Sequence, residues 1–456
     1  MHVPLGCTAH SAGLALAVAV ALTACGGSGG DRAVGRPAGG VVPTGEATGE
    51  VATDVGVTEE PCAAAVNPEN GCVYLGSLSD LSAGPFSALA VPITDAQEAF
   101  WRRVNEQGGV GGYDIDVTTY TRDNQYDPQV HRRLYRGIEP HVLALAQTLG
   151  SPTTAAIIDD LEASGVLAAP VSWTSRWLFH DVIVESGSTY CIDPMNGLDW
   201  LTVEGDGPDT VMAMAFPGDY GGDAAAGARI WAEANDAQFS YVEQVPVASG
   251  GTTTAAVDAI LDQGPDVVVL AVSPQETGEI VAGTVARGYE GRFLGVSPSY
   301  NPGLLQSAAR DAVVSRYMLT APWATTFSGD APGARAMRAA LGEGVAGNEG
   351  YTSGWIWSYP LKAALEQAVA SGDLTRRGLF DAVKSLESVD YEGMLGGGAG
   401  HFAGGPDAAA VRVTTIAQPS GAGTSGYEIV EPNYSGPTAQ GYEFGDGPCY
   451  QTVSPG

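Results

Sequence analysis

The sequence predicts an α/β fold built as two lobes of parallel βαβ units. Three observations carry this. Short apolar or alternating strand patterns recur between amphipathic helix patterns at βαβ spacing. A second series of the same kind begins near Asp193. About 390 residues follow Cys62, a length that suits two α/β lobes.

The first series opens with a strand over Val73–Ser79, a loop Asp80–Gly84 and then Pro85 and Phe86. Asp95–Asn105 places Ala96, Ala99, Phe100 and Val104 on one helical face, and the glycines from Gly108 to Gly112 end it. Tyr113–Tyr120 alternates as a strand. Asp127 followed by Pro128 is a helix cap with proline at the first helical position, opening a helix to Gly137. Val142–Ala146 is an apolar strand. Gly150, Ser151 and Pro152 turn the chain into a helix with Ile157, Ile158 and Leu161 as its stripe, closed by Gly165, and Val166–Pro170 is the next strand. Ser151 is expected as the helix cap.

The second series runs from a helix at Asp193–Glu204 through a strand at Thr210–Ala215 and a helix entered at Pro217–Gly222. Strands follow at Ser240–Val245, Asp266–Val272 and Arg292–Val296, with helices at Thr254–Gln263 and Glu276–Arg287 between them. Asp266–Val272 is the continuous apolar kind that lies buried in a parallel sheet. Gly350–Ala370 and Thr375–Leu386 are helices, and the tail from Val411 alternates weakly.

The N-terminus points to export. Leu14–Leu22 is an apolar run too short to span a bilayer as a stable helix. It ends in Leu22-Thr23-Ala24-Cys25-Gly26, the pattern of a bacterial lipobox in which Cys25 receives lipid. Only His2 and His10, and no Lys or Arg, precede that run. Residues 1–24 are thus expected to be a lipoprotein signal peptide. Residues 25–65 are expected to be a flexible tether, because Gly, Ala, Thr and Pro with few large apolar side chains cannot bury a core.

Composition excludes one partner class. With 52 Asp and Glu against 21 Lys and Arg the net charge is −31, so nucleic acid is not expected as a partner. Excluding Cys7 and Cys25 leaves Cys62, Cys72, Cys191 and Cys449. Four cysteines allow three pairings, and export makes two disulfides the expectation. The simplest pairing joins Cys62 to Cys72 across the turn Pro68–Gly71, leaving Cys191 with Cys449. No CxxC spacing occurs and the six His are scattered, so neither a metal site nor a cofactor is expected.

The stretch Gln147–Thr174 is the candidate working end. A strand, a hydroxyl-rich turn and a helix start together offer free N–H groups, with Ser151, Thr153 and Thr154 beside them, for a carboxylate. The next strand delivers Ser172, Trp173 and Thr174 to the same sheet edge, where open α/β sheets bind ligands.

Several motifs occur together in order: Ser82-x-Gly84-Pro85, Asn105-x-x-Gly108-Gly109-Val110-x-Gly112, Asp123-x-x-Tyr126-Asp127-Pro128, Gly150-Ser151-Pro152-Thr153-Thr154 and Asp219-Tyr220-Gly221. As a set they resemble the type I periplasmic binding proteins of ABC importers, in the branched-chain amino acid and amide group. The resemblance covers residues 72–429. It implies two Rossmann-like lobes joined by a three-crossover hinge, with residues 66–193 and 325–408 in lobe 1 and residues 194–324 and 409–450 in lobe 2. It implies a ligand in the cleft between them, with Ser151, Thr153 and Thr154 on its carboxylate and Ser172, Trp173 and Thr174 on its head group. Tyr220 would close over it from the second lobe, Phe86 would border it, and the loops holding Glu276 and Ser297 would complete the wall. Amino acid binders of this group carry an acid where Ser297 and Pro298 stand here, with Glu276 as the substitute within reach. The implied ligand is therefore a branched-chain amino acid, an amide or a related carboxylic acid, and Trp173 and Trp323 suit a flat or apolar body.

The implied protein is a lipid-anchored monomer outside the cell membrane that serves an importer permease. The alternative on the same fold is a tethered sensor feeding a membrane receptor. An enzyme is not expected. Gly342-x-Gly344-x-x-Gly347 spells a dinucleotide fingerprint but follows a helical run, Ala331–Leu341, instead of a strand. No Walker A, HExxH or GxSxG pattern is present.

Overall fold

The computed structural model describes residues 51–82, 84–205 and 207–452. The signal peptide, Cys25 and the tether up to residue 50 lie outside the described residues.

The order of elements follows the alternation in the sequence. The strands are β1 (Ala52–Thr53), β2 (Val57–Thr58), β3 (Gly71–Ser79), β4 (Tyr113–Asp123), β5 (Ala144–Leu149), β6 (Ala168–Val171) and β7 (Thr210–Ala215). They continue with β8 (Gln238–Glu243), β9 (Val267–Ala271), β10 (Arg292–Val296), β11 (Tyr317–Ala321), β12 (Asp373–Leu374), β13 (Thr414–Pro419) and β14 (Tyr427–Tyr434). The helices that position the site are α1 (Ser87–Glu106), α2 (Pro128–Ile138), α3 (Ser151–Ala155), α4 (Ile158–Ser164), α5 (Ile192–Glu204) and α6 (Asp219–Ala234). After them come α7 (Thr254–Gln263), α8 (Pro274–Val285), α9 (Arg310–Arg316), α10 (Pro332–Leu341), α11 (Glu349–Ala370) and α12 (Arg376–Lys384).

Two sheets form. In the first, β3 pairs in parallel with β4 on one side and β5 on the other, β5 pairs with β6, and β2 runs antiparallel on the start of β3. The second has the order β14-β13-β11-β10-β9-β7-β8. Its strands β7 to β11 are parallel, while β13 and β14 are antiparallel. Both sheets are thus mostly parallel, as expected, with antiparallel additions at β2, β13 and β14. The chain passes between the two sheet systems after β6, after β11 and again before β13, which makes the three crossovers of the hinge. The inner parallel strands are buried: every residue of β5, β6 and β9 is in the core, as expected of strands covered on both faces.

Four local readings change. Residues 51–65, expected in a tether, are folded: β1 pairs with β12, β2 pairs with β3, and Cys62 is bonded to Cys72. Backbone pairing and a disulfide hold a segment whose side chains could not. The first helix starts at Ser87 and carries Pro92 inside, because Ser87–Thr94 packs toward the cavity described below. The helix after β5 is two short helices, and its cap is Gly150, at φ 98°, with Ser151 as the first helical residue. A left-handed cap of that kind favours glycine. The strand β11 has no counterpart in the sequence reading.

Cys191 is bonded to Cys449, so both disulfides have the simplest pairing. Each places a carboxylate near its sulfurs, Asp116 in one case and Asp223 in the other, but no free thiolate is left there for a metal.

Candidate functional site

A cavity, partly open to solvent, lies where the carboxyl ends of strands from both sheets meet. The first sheet contributes Leu149, Gly150 and Ser151 after β5 and Val171, Ser172 and Trp173 after β6. The second contributes Ser297 and Pro298 after β10, Leu319 in β11, Trp323 beyond it, Tyr220 in α6 and Tyr427 in β14. Helix α1 adds Leu89 and Ile93, and α11 adds Glu349, Ser353 and Trp357. This is the strand-end location at which open α/β sheets bind ligands.

The wall is aromatic. Trp173 stacks on Trp357 at 4.2 Å between ring centroids and meets Tyr190 and Trp323 edge-on at 6.1 and 6.2 Å. Tyr190 in turn meets Tyr220 at 4.8 Å, and Phe86 tilts against Tyr126 at 4.9 Å. Three of the ring polar atoms are tied down. Trp173 Nε1 donates to the Ser186 carbonyl at 2.8 Å, Trp323 Nε1 to the Tyr427 hydroxyl at 2.7 Å, and Tyr220 Oη to the Val272 carbonyl at 3.2 Å. Fixed rings of this kind offer large contact area at little entropic cost. No Lys, Arg or His lines the cavity among the described residues.

Of the residues singled out in sequence, Phe86, Ser151, Ser172, Trp173, Tyr220 and Ser297 line this cavity together. Four others do not. The Thr153 hydroxyl donates to the Leu149 and Gly150 carbonyls, and the Thr154 hydroxyl to the Thr148 carbonyl, so both are taken up inside the turn. Thr174 caps the 3₁₀ turn Ser175–Phe179 and is fully buried. The Glu276 carboxylate accepts from the Val247 N–H at 2.9 Å and from the Ser273 hydroxyl, which ties it between the loops after β8 and β9. Trp323, named in the sequence beside Trp173 as suited to an apolar ligand body, is also on the wall. The sequence reading missed Tyr126, Tyr190, Tyr300, Glu349, Trp357 and Tyr427. Tyr126 lies inside a motif already quoted; the others had no local signal.

Several carboxyl groups outside the cavity lining are buried. Burial pushes Asp219, at the start of α6, up to about 6, while the Arg176 guanidinium opposes it. Burial likewise raises Asp193 and Asp223 to about 7, each against hydrogen bonds that lower it. Glu185 is pushed well above the carboxylate range by burial, and its carboxyl accepts from the Trp357 Nε1–H at 3.2 Å behind the cavity wall. His131, also fully buried, is pushed down to about 3 and bonds to Asn124 and Thr148, a packed residue away from the cavity.

The family model described as periplasmic binding protein matches residues 73–424. Among curated protein sequences none matches this chain. A solved fatty acid ABC transporter substrate-binding protein from Thermomonospora curvata is 28% identical, with a TM-score of 0.78 over 87% of this chain and 98% of its own. A branched-chain amino acid ABC transporter protein from Thermus thermophilus with bound valine is 16% identical, with a TM-score of 0.68 over 81% of this chain and 98% of its own. A solute binding protein of an ABC transporter from Rhodopseudomonas palustris HaA2, in complex with p-hydroxybenzoic acid, is 18% identical, with a TM-score of 0.66 over 80% and 98%. The last two likenesses are of fold.

Proposed function

The chain belongs to the periplasmic binding protein family, and from that premise we propose that it captures a small, largely apolar solute in the cavity and delivers it to an ABC importer. The observation that carries this is the wall itself: tryptophan, tyrosine and aliphatic side chains, a few hydroxyls, and no basic group among the described lining residues. Burying an apolar body there is favourable at about 25 cal/mol per Å², whereas a free carboxylate would find no cation. The 28%-identical neighbour described as a fatty acid binder supports an apolar body.

In this reading Trp173, Trp357, Phe86 and Tyr220 grip the body, and Ser151, Ser172 and Ser297 meet its polar edges. Residues 66–193 with 325–408, and residues 194–324 with 409–450, are the two lobes that close on it. Closure is stabilised because the solute touches both lobes at once. Leu14–Leu22 and Cys25 support export and a lipid tether at the outer face of the cell membrane, with the protein acting as a monomer beside the permease. The proposed role is binding and transfer, without a reaction.

The test is a thermal-shift screen of the folded part with valine, p-hydroxybenzoate, octanoate, hexanol and hexylamine. A solute at a hundredfold excess over Kd stabilises by about 2.7 kcal/mol. Trp357→Ala should abolish the shift. The proposal fails if no apolar solute shifts the transition, or if that variant responds like the wild type.

A further inference from the structure

One acidic group on the apolar wall has no cation beside it among the described lining residues. Glu349 is the first residue of α11 and is only 7% exposed. Its Oε1 accepts from the Phe327 N–H at 3.0 Å, but Oε2 is buried without an aligned hydrogen bond. The hydroxyls of Thr352, Ser425 and Tyr427 face this carboxyl as loosely aligned donors, all of them neutral. A buried carboxyl met only by neutral donors at one end of an apolar cavity keeps a desolvation cost that a cation seated there would offset.

The surroundings select the sign of that charge. The wall offers no Lys, Arg or His to Glu349 among the described residues. Its place in the first turn of a 22-residue helix favours the ionised carboxylate. Desolvation acts the other way and raises its pKa. A buried carboxylate in this position is stabilised by a cation that arrives with the ligand. Aromatic rings frame the same spot. Tyr427 meets Tyr300 edge-on at 6.0 Å, and its hydroxyl accepts from Trp323 Nε1. Ring faces beside a carboxylate are the arrangement that attracts organic ammonium groups.

We propose that the solute carries an organic ammonium at its polar end, seated on Glu349 between Trp323, Tyr300 and Tyr427. This rests on the cavity being the binding site and names the head group of what it binds. A carboxylate head group would meet a like charge there with no counter-ion on the wall. Glu349 takes no part in the turn after β5 or in the loop after β10, so the seat differs from both places where the sequence reading looked for the head group.

Three matched probes, n-hexylamine, n-hexanol and hexanoate, separate the possibilities by calorimetric or tryptophan-fluorescence titration at pH 7.5. Hexylamine should bind at least about tenfold tighter than hexanol or hexanoate, since a charge-assisted bond is added to the same apolar contact. Glu349→Gln should remove that advantage and leave hexanol within about threefold of its wild-type affinity. The wild-type protein gives a second reading that needs no variant. As pH falls through the titration of Glu349, hexylamine binding should weaken while hexanol binding holds. Tyr300 and Tyr427, the titratable groups facing Glu349, are both pushed up by burial and stay neutral in that window. If hexanol or hexanoate binds and hexylamine binds no tighter, the ammonium seat is overturned while the cavity reading stands. If none of the three binds, both fall.

Discussion

Replacing Asp193 by Asn should make the protein's stability less dependent on pH. Asp193 sits in the first turn of α5 and is 1% exposed. Its carboxyl accepts from the Ser188 hydroxyl at 2.5 Å and from the Thr414 hydroxyl at 2.9 Å. Ser188 belongs to the first crossover and Thr414 opens β13 after the third, so the carboxyl joins two strands of the hinge. Burial, only partly offset by these bonds, raises its pKa from 3.8 to about 7. A group raised in the folded state contributes fully below its unfolded pKa, and that contribution is lost as pH rises through the folded one. Between pH 5 and pH 9 the wild type should therefore lose about 2–3 kcal/mol relative to Asp193→Asn, at 1.36 kcal/mol per unit. Asn has the shape of the protonated acid, so the two proteins should be nearly matched only below about pH 4, with the variant already ahead at pH 5 and further ahead at pH 9. Urea unfolding of both at each pH measures this. Comparing the two proteins cancels His131, whose lowered pKa works in the opposite direction in both. Parallel stability curves across the window, or a wild type that gains on the variant with rising pH, would refute the reasoning.

Three further outcomes follow from the packing. Replacing Cys191 and Cys449 by Ala opens a link between residues 258 apart in sequence; the chain-entropy model sets a ceiling of about 5 kcal/mol on the loss, and an unchanged urea midpoint would show that the link does not restrain the unfolded chain. Arg376→Met removes the ion pair to Glu139 at 2.5 Å and the bonds to the Glu139 and Val142 carbonyls; leaving those acceptors unpaired should cost about 2–4 kcal/mol, and a loss under half a kcal/mol in urea unfolding would count against it. Trp357→Phe keeps a ring on Trp173 but removes the N–H that meets Glu185; stability should drop by about 1–3 kcal/mol, and a melting temperature equal to wild type would show that the Glu185 carboxyl does not depend on that donor.

Much of the fold was legible because it rests on local signals. Apolar runs such as Val267–Ala271 and capped starts such as Asp127-Pro128 need nothing from the rest of the chain. Asp127 does cap its helix, accepting from the Gln129 and Val130 N–H groups. The strand β11 was not legible, since Tyr317–Ala321 follows α9 with no turn residue between them. Residues 51–65 were misread for a different reason. Composition reports side-chain burial, while β1 and β2 are held by backbone pairing to partners at Asp373–Leu374 and Cys72–Val73.

The site divides along the same line. Ser151, Ser172, Trp173 and Ser297 could be found because each stands at the carboxyl end of a strand, a position that periodicity reveals. Thr153 and Thr154 have that address too, yet a threonine in a tight turn can bond its own backbone, and here both do. Residue type at a strand end thus leaves open whether a hydroxyl faces the ligand or the turn. Glu349 and Trp357 lie in a helix whose tryptophans read as core, and Trp355 is core. Trp357 differs because the second crossover carries α11 past the end of β6, setting its ring on Trp173. Tyr427 reaches the cavity only because the last crossover adds β13 and β14 beside β11. Each contact joins segments far apart in the chain, so the character of the cavity is a property of the three crossovers. Local pattern can locate its rim, while its aromatic lining and its single buried carboxylate depend on which segments the hinge brings together.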